Sequence, residues 1–270
     1  MMQKDIAEQA ANMLESLREK RPLIHHITNW VTISECASIT RSLGALPVMA
    51  HAEEEVEEMV SLSGALVLNI GTLTPGFINA MIMAGKQANR KSIPVILDIV
   101  GVGATKLRKD SARKILAEIK ITVIKGNAGE IATLAGAQAE VRGVESMSVE
   151  GNSASHAKLL AHTEKCTVVV TGPEDIITDG KRLFIVKNGH SKMGEVVGTG
   201  CMAASVIGAF TAVAEDKTLA AACAMIVYGI AGEIAARSAK GPGSMLQNMF
   251  DAIMAIGRND ILEGARVDVR

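Results

Sequence analysis

The chain has 270 residues, 48% of them hydrophobic and 21% charged, which is enough to build a large core and excludes a disordered chain. A formal net charge of -1 provides no global field for nucleic acid or an anionic membrane, and 2% aromatic residues leave little with which to stack single-stranded bases. This length suits one α/β domain, read here as residues 1–270.

The first twenty residues are charged throughout and lack the apolar run of a signal peptide. They read as an amphipathic helix with Ile6, Ala10, Met13, Leu14 and Leu17 on one face. The stretch LIHHITN, Leu23 to Asn29, follows and places His25, His26 and Asn29 just ahead of a helix over 31–43. Asn29 suits the N-cap of that helix, with a substrate contact as the alternative. Adjacent histidine side chains diverge, and no HxH, HxxxH or carboxylate pair accompanies them, so they do not read as a metal site.

Short apolar runs then alternate with helical periodicity. Strands are predicted at LPVM (46–49), ALVLNI (65–70), PVILDIV (94–100), ITVIK (121–125) and CTVVVT (166–171), with helices over 53–63, 75–89, 111–118 and 129–135. Near-continuous apolar strands separated by helices predict a mostly parallel sheet covered on both faces. Residues 140–155 read as loop. DIITD (175–179) and RLFIVK (182–187) form a hairpin across Asp179-Gly180, and a helical third runs from Thr199 to about Asn259. Residues 196–214 carry no charge over nearly the length of a membrane span, but a GTG opening and abundant Ala and Gly read as a buried helix. The four cysteines show no CxxC or metal spacing, as expected of a reduced, cytoplasmic protein.

Ligands of open α/β sheets sit beyond the carboxyl ends of the strands, which points to Met49, Gly71, Asp98, Asn127 and Thr171. In GEVVGTGCMAAS, Gly198 and Gly200 let the backbone turn tightly before a helix whose first N–H groups favour an anion. Cys201 at that helix start is either a small buried hydrophobe or a thiol of lowered pKa able to meet a substrate hydroxyl. In KGNAGE, Asn127 and Glu130 suit a helix capping box or the water shell of Mg²⁺, and Lys125 suits a phosphate. Asp98 ends an apolar strand, either in solvent or in a site. The faces of Gly200, Ala204, Gly208 and Ala212 form a smooth stripe for close packing.

Taken in order, LIHHITN, GALPVMAHAEEEVEEM, GALVLNIGTL, VILDIVGVGAT, IKGNAGEI, GTGC and KGPGS resemble the hydroxyethylthiazole kinase family of the ribokinase-like superfamily, from about residue 8 to 260. The superfamily pairs N-x-x-E with G-x-G-D; here NAGE matches and Cys201 replaces the aspartate base. The resemblance implies transfer of the γ-phosphoryl of ATP to 4-methyl-5-(2-hydroxyethyl)thiazole in thiamine salvage. It assigns Met49 and Gly198 to substrate, Lys125 and Thr171 to ATP, and Asp98 and Glu130 to Mg²⁺ through water, and it implies a homotrimer with sites at subunit interfaces. Within the family Arg is usual where Lys125 stands, proline where Ile99 stands, and TGE-x-D where this chain has TGPED; Trp30 also departs from the pattern. Ile99 is expected to loosen its loop. A hydroxymethylpyrimidine kinase, an ATP-dependent hydrate dehydratase and a non-catalytic nucleotide-binding regulator are the alternatives.

Overall fold

Nine strands form one sheet in the order β2-β1-β3-β4-β5-β6-β7-β8-β9 in the computed structural model, which describes residues 3–136 and 149–270. Helix α1 (Gln3–Lys20) precedes the parallel strands β1 (Leu23–Ile27), β2 (Leu46–Val48), β3 (Ala65–Asn69), β4 (Val95–Asp98), β5 (Val123–Asn127) and β6 (Thr167–Thr171). The crossovers contain α2 (Ile33–Leu43), α3 (Val56–Ser61), α4 (Pro75–Arg90), α5 (Lys106–Glu118), and then α6 (Ala128–Leu134) with α7 (Val149–Glu164). Antiparallel strands β7 (Asp175–Thr178), β8 (Leu183–Val186) and β9 (Val267–Val269) extend the sheet beyond β6. Helices α8 (Thr199–Val213), α9 (Lys217–Ser238), α10 (Pro242–Ala255) and α11 (Arg258–Gly264) lie between β8 and β9.

Strand alternation builds two cores. Ile24, Val67, Ile96, Val123 and Val169 face α1, α2, α8, α9 and α10, whereas Leu66, Leu68, Leu97, Ile124 and Val168 face α4, α5 and α7. Both sides of the inner strands β3 to β6 are therefore largely dry, which is why these strands read as unbroken apolar runs, whereas the edge strand β2 is only half-buried. The small-residue stripe on α8 rests directly on this sheet: a Cβ on Gly208 would stand 2.6 Å from Val67 Cγ2. The uncharged segment is thus a buried helix. Among the described residues, helix α9 is the one long and apolar enough to cross a membrane, yet 89% of its apolar window is packed inside the protein.

One strand is added and two expectations are corrected. LIHHI, given no structure of its own from the sequence, is an inner strand between β2 and β3: His25 Nε2 meets the carbonyl of Ala50 at 2.8 Å and His26 Nε2 meets Ser205 Oγ at 3.1 Å, on opposite faces of the sheet. The helical third continues to Gly264 and ends in β9, which pairs with β8. Of the loop expected at 140–155, residues 140–148 lie outside the described residues, and 149–155 begin α7. The Asp179-Gly180 hairpin is present, with Gly180 at φ +90.

Candidate active site

Four neighbouring strands and the start of one helix deliver polar side chains to one point beyond the carboxyl edge. Asn69 ends β3 and Asp98 ends β4, and Lys125 lies in register with Asp98 on β5. Asn29 follows β1, and Cys201 enters from the first turn of α8. The Asn69 amide donates to Asp98 Oδ2 at 2.7 Å, and Lys125 Nζ donates to Asp98 Oδ1 at 3.0 Å. The amides of Asn69 and Asn29 both aim at Cys201 Sγ, at 3.3 and 3.4 Å.

This network explains its own ionisation. Burial pushes Asp98 above the ordinary carboxylate range, and the neighbouring ammonium offsets part of that rise. Burial works against the Lys125 ammonium, but the Asp98 carboxylate prevails and holds it charged. The thiol of Cys201 is pushed above its ordinary value by burial and then by the charge on Asp98. The expected lowering of that pKa is therefore corrected: the field at a helix start is weaker than loss of solvent beside a carboxylate.

The turn before α8 is fixed from several sides. Gly198 has φ +95, a backbone state costly for side-chain-bearing residues, and a Cβ there would stand 2.7 Å from Thr32 Cγ2. The Tyr228 hydroxyl donates to the Thr199 carbonyl at 2.8 Å, and the helical ladder begins only with Met202 N–H to Gly198 O at 2.8 Å. The amides of Thr199, Gly200 and Cys201 thus precede the ladder and form an anion-favouring end. A cavity of about 210 Å³ opens there, lined by Lys125, Asn127, Glu130, Thr171, Gly198, Gly200 and Cys201 among others. A larger one of about 700 Å³ adjoins it, sharing Asn127, Thr171 and Gly200 and reaching Asp175, His190, Met225 and Tyr228.

Asn127 and Glu130 make the expected capping box, with bonds of 2.8 and 2.9 Å. The second oxygen of Glu130 accepts from Gly101 N–H at 2.7 Å, so this carboxylate also ties α6 to the loop after β4. Asn29 is not the N-cap of α2; that position is Thr32. Instead Asn29 Oδ1 accepts from the N–H groups of Val31 and Thr32 at 3.0 and 3.1 Å, which frees its amide for Cys201. Ile99 does not loosen its loop. Its N–H donates to Lys125 O at 3.0 Å, a bond proline lacks, and its side chain is fully buried against Gly126. Met49 follows the edge strand β2, half-buried, and lines neither cavity. Asn69, Asp175 and Tyr228 are the site residues that sequence reasoning passed over.

A strand-end carboxylate, a buried lysine and a glycine turn at a helix start compose a site for phosphate next to a polar group that can hold an acceptor. Comparison with known proteins identifies the family. Residues 14–259 match the model of the hydroxyethylthiazole kinase family. A hydroxyethylthiazole kinase of Methanosarcina acetivorans is 56% identical over 240 residues, 89% of this chain and 92% of the relative. The solved hydroxyethylthiazole kinase of Pyrococcus horikoshii superposes with a TM-score of 0.90 at 42% identity, covering 97% of this chain and 99% of that one. A ribokinase-like superfamily protein of Enterococcus faecalis shares the fold alone, with a TM-score of 0.63 at 15% identity over 94% of this chain and 95% of that one. Sheet order, glycine turn and sequence thus converge, and the chain belongs to the hydroxyethylthiazole kinase family.

Proposed function

We propose that this protein phosphorylates the hydroxyl of 4-methyl-5-(2-hydroxyethyl)thiazole with ATP, in thiamine salvage. The observation that carries the reading is the placement of Cys201 Sγ: two amides fix it at 3.3 and 3.4 Å, and it lines the same small cavity as Lys125, Gly198 and Gly200. The substrate hydroxyl would meet Cys201 while the free amides of the turn hold the transferring phosphoryl. As the hydroxyl oxygen bonds to the γ-phosphorus, the bond from that phosphorus to the bridging oxygen breaks and ADP leaves, while the hydroxyl proton passes late to an oxygen of the transferred phosphoryl group and from there to solvent. A loose transition state needs positioning and charge compensation more than a strong base, so a neutral thiol suffices to orient the hydroxyl.

Lys125 and Thr171 serve the nucleotide, and Gly198 serves the acceptor. Met49 also serves the acceptor in this reading, on family likeness alone. Mg²⁺ accompanies the nucleotide and supplies charge compensation to its phosphates. Both oxygens of Asp98 and both of Glu130 already accept hydrogen bonds, and no group of three His, Cys, Asp or Glu side chains could hold a metal among the described residues. That donor set fits a hydrated ion approached through water by Glu130, not one caged by protein. The exposed side chains of Trp30, Val31 and Val197 flank Thr32 and Gly198 at the mouth of the site, which supports a subunit contact there; the homotrimer and the cytoplasmic location rest on family likeness alone.

The test is ADP release with ATP and Mg²⁺, comparing hydroxyethylthiazole with hydroxymethylpyrimidine, alongside the solution mass. Release with the thiazole is expected. Release with the pyrimidine alone would replace the substrate, and nucleotide binding without turnover would favour a regulator.

A further inference from the structure

The larger cavity contains a single acid in its wall, Asp175, at the start of β7 and nearly out of solvent. Most polar side chains around it are already spent. Asn188 donates to Glu233 and to Gly264 O and accepts from Arg266 N–H. Tyr228 and Thr199 donate to the carbonyls of Thr199 and Met193, and Thr171 donates to that of Gly126. Asp175 Oδ1 accepts from Gly172 N–H at 3.1 Å, which leaves Oδ2 to the cavity.

A carboxylate there is misplaced for an anionic ligand. Gly200 and Thr199 of the amide turn line the same cavity, and Lys125, the buried cation nearby, is already balanced by Asp98. An ionised Asp175 would repel a phosphate chain, whereas a neutral carboxylic acid would donate to it. We propose that Asp175 enters the nucleotide complex as a neutral acid, its Oδ2–H donated to a phosphate oxygen, so that binding takes up one proton from solvent. The proton balance is complete: carboxylate plus one solvent proton gives the acid, and no other bond changes. The inference rests on the reading of this cavity as the nucleotide site.

The setting supports it. Burial raises this carboxyl to about 7, with Gly172 N–H and then the charge of Lys125 pulling the other way. The remaining titratable or charged groups around it are Tyr228 from α9, His190 from the segment after β8 and Glu174 beside it in the chain.

Calorimetric titration of the whole protein with ADP and Mg²⁺ at about pH 8, in two buffers of different ionisation enthalpy, tests this. The wild type is expected to take up a large fraction of a proton, with affinity falling by up to about tenfold per pH unit above neutrality. Asp175→Asn keeps an oxygen for Gly172 N–H and is expected to bind with no uptake and a flat pH profile; His190→Gln is expected to retain the uptake. Uptake surviving in Asp175→Asn, or lost in His190→Gln, overturns the proposal. So does binding by wild type without uptake, which would make Asp175 an ionised acceptor for a nucleotide hydroxyl or amine. If Asp175→Asn does not fold, uptake in wild type and His190→Gln decides. Absence of binding heat in the wild type would remove the nucleotide reading itself.

Discussion

A Cβ on Gly200 would stand 3.1 Å from Lys125 Nζ. The glycine turn and the buried ammonium are therefore one unit, because any side chain at 200 presses on the nitrogen that holds Asp98. Gly200→Ala is expected to raise the nucleotide KM several-fold with a smaller change in kcat, since the ammonium shifts but remains. Lys125→Met is harsher. It strands the fully buried Asp98 carboxylate and is expected to destabilise the fold by about 3–5 kcal/mol, read by urea denaturation. If Lys125→Met were as stable as wild type, the ion pair would carry none of the stability assigned to it.

Cys201 is expected to act as a neutral thiol at pH 7, because burial raises it above an ordinary value of 9.0. Turnover should climb through alkaline pH as the thiol ionises, and this climb should vanish in Cys201→Asp, which keeps activity. Cys201→Ala is expected to lower kcat by about 10–100-fold, below the roughly 100–10,000-fold of a true general base, because the neutral thiol orients the hydroxyl and does not take its proton. Turnover by Cys201→Ala equal to wild type would remove Cys201 from the chemistry.

Gly198→Val is expected to abolish activity, and Gly198→Ala already meets two obstacles. The backbone lies at φ +95, and the new Cβ would collide with Thr32, whose hydroxyl and N–H bond Asn29. Strain alone costs about 1–3 kcal/mol, and displacing Thr32 disturbs the amide that fixes Cys201. A thermal melt and a kcat measurement on Gly198→Ala should both fall; a fall in stability with full activity would separate the turn from the site.

His26 makes the fold acid-sensitive. Burial lowers this imidazole from 6.5 to about 4. The folded state keeps it neutral while the unfolded chain binds a proton below 6.5, so its contribution is complete above 6.5 and is lost as pH falls towards 4. The full loss is about 3 kcal/mol. Urea denaturation at neutral and mildly acidic pH should show a drop that is smaller in His26→Gln; an equal drop in both would assign the acid sensitivity elsewhere.

Much of this was legible because local physics and global fold agree. ALVLN and VILD are apolar on both faces since helices cover both, and NAGE caps α6 as its spacing says. LIHHI was opaque because two histidines imitate a loop. The tertiary partners Ala50 and Ser205, with the Ile24 carbonyl on the other ring nitrogen of His26, make their burial tolerable. Three-residue β9 had too few positions to show alternation. Asn69 offered a faint signal, an amide ending an apolar strand ahead of Gly71, but nothing local revealed that it joins Asp98 to Cys201. The pKa of Cys201 was misjudged for the same reason: a helix start is visible in sequence, and the depth at which it is buried is not.

The pairing of β8 with β9 spans the whole helical third, as the bond from Arg266 to the Lys187 carbonyl across 79 residues shows. Until α8 to α11 have docked, β8 presents an unpaired hydrogen-bonding edge to other chains in a crowded refolding mixture. Intermediates stalled at that stage would stick edge to edge, so dilute refolding, and not a stronger final fold, should govern the yield of active protein.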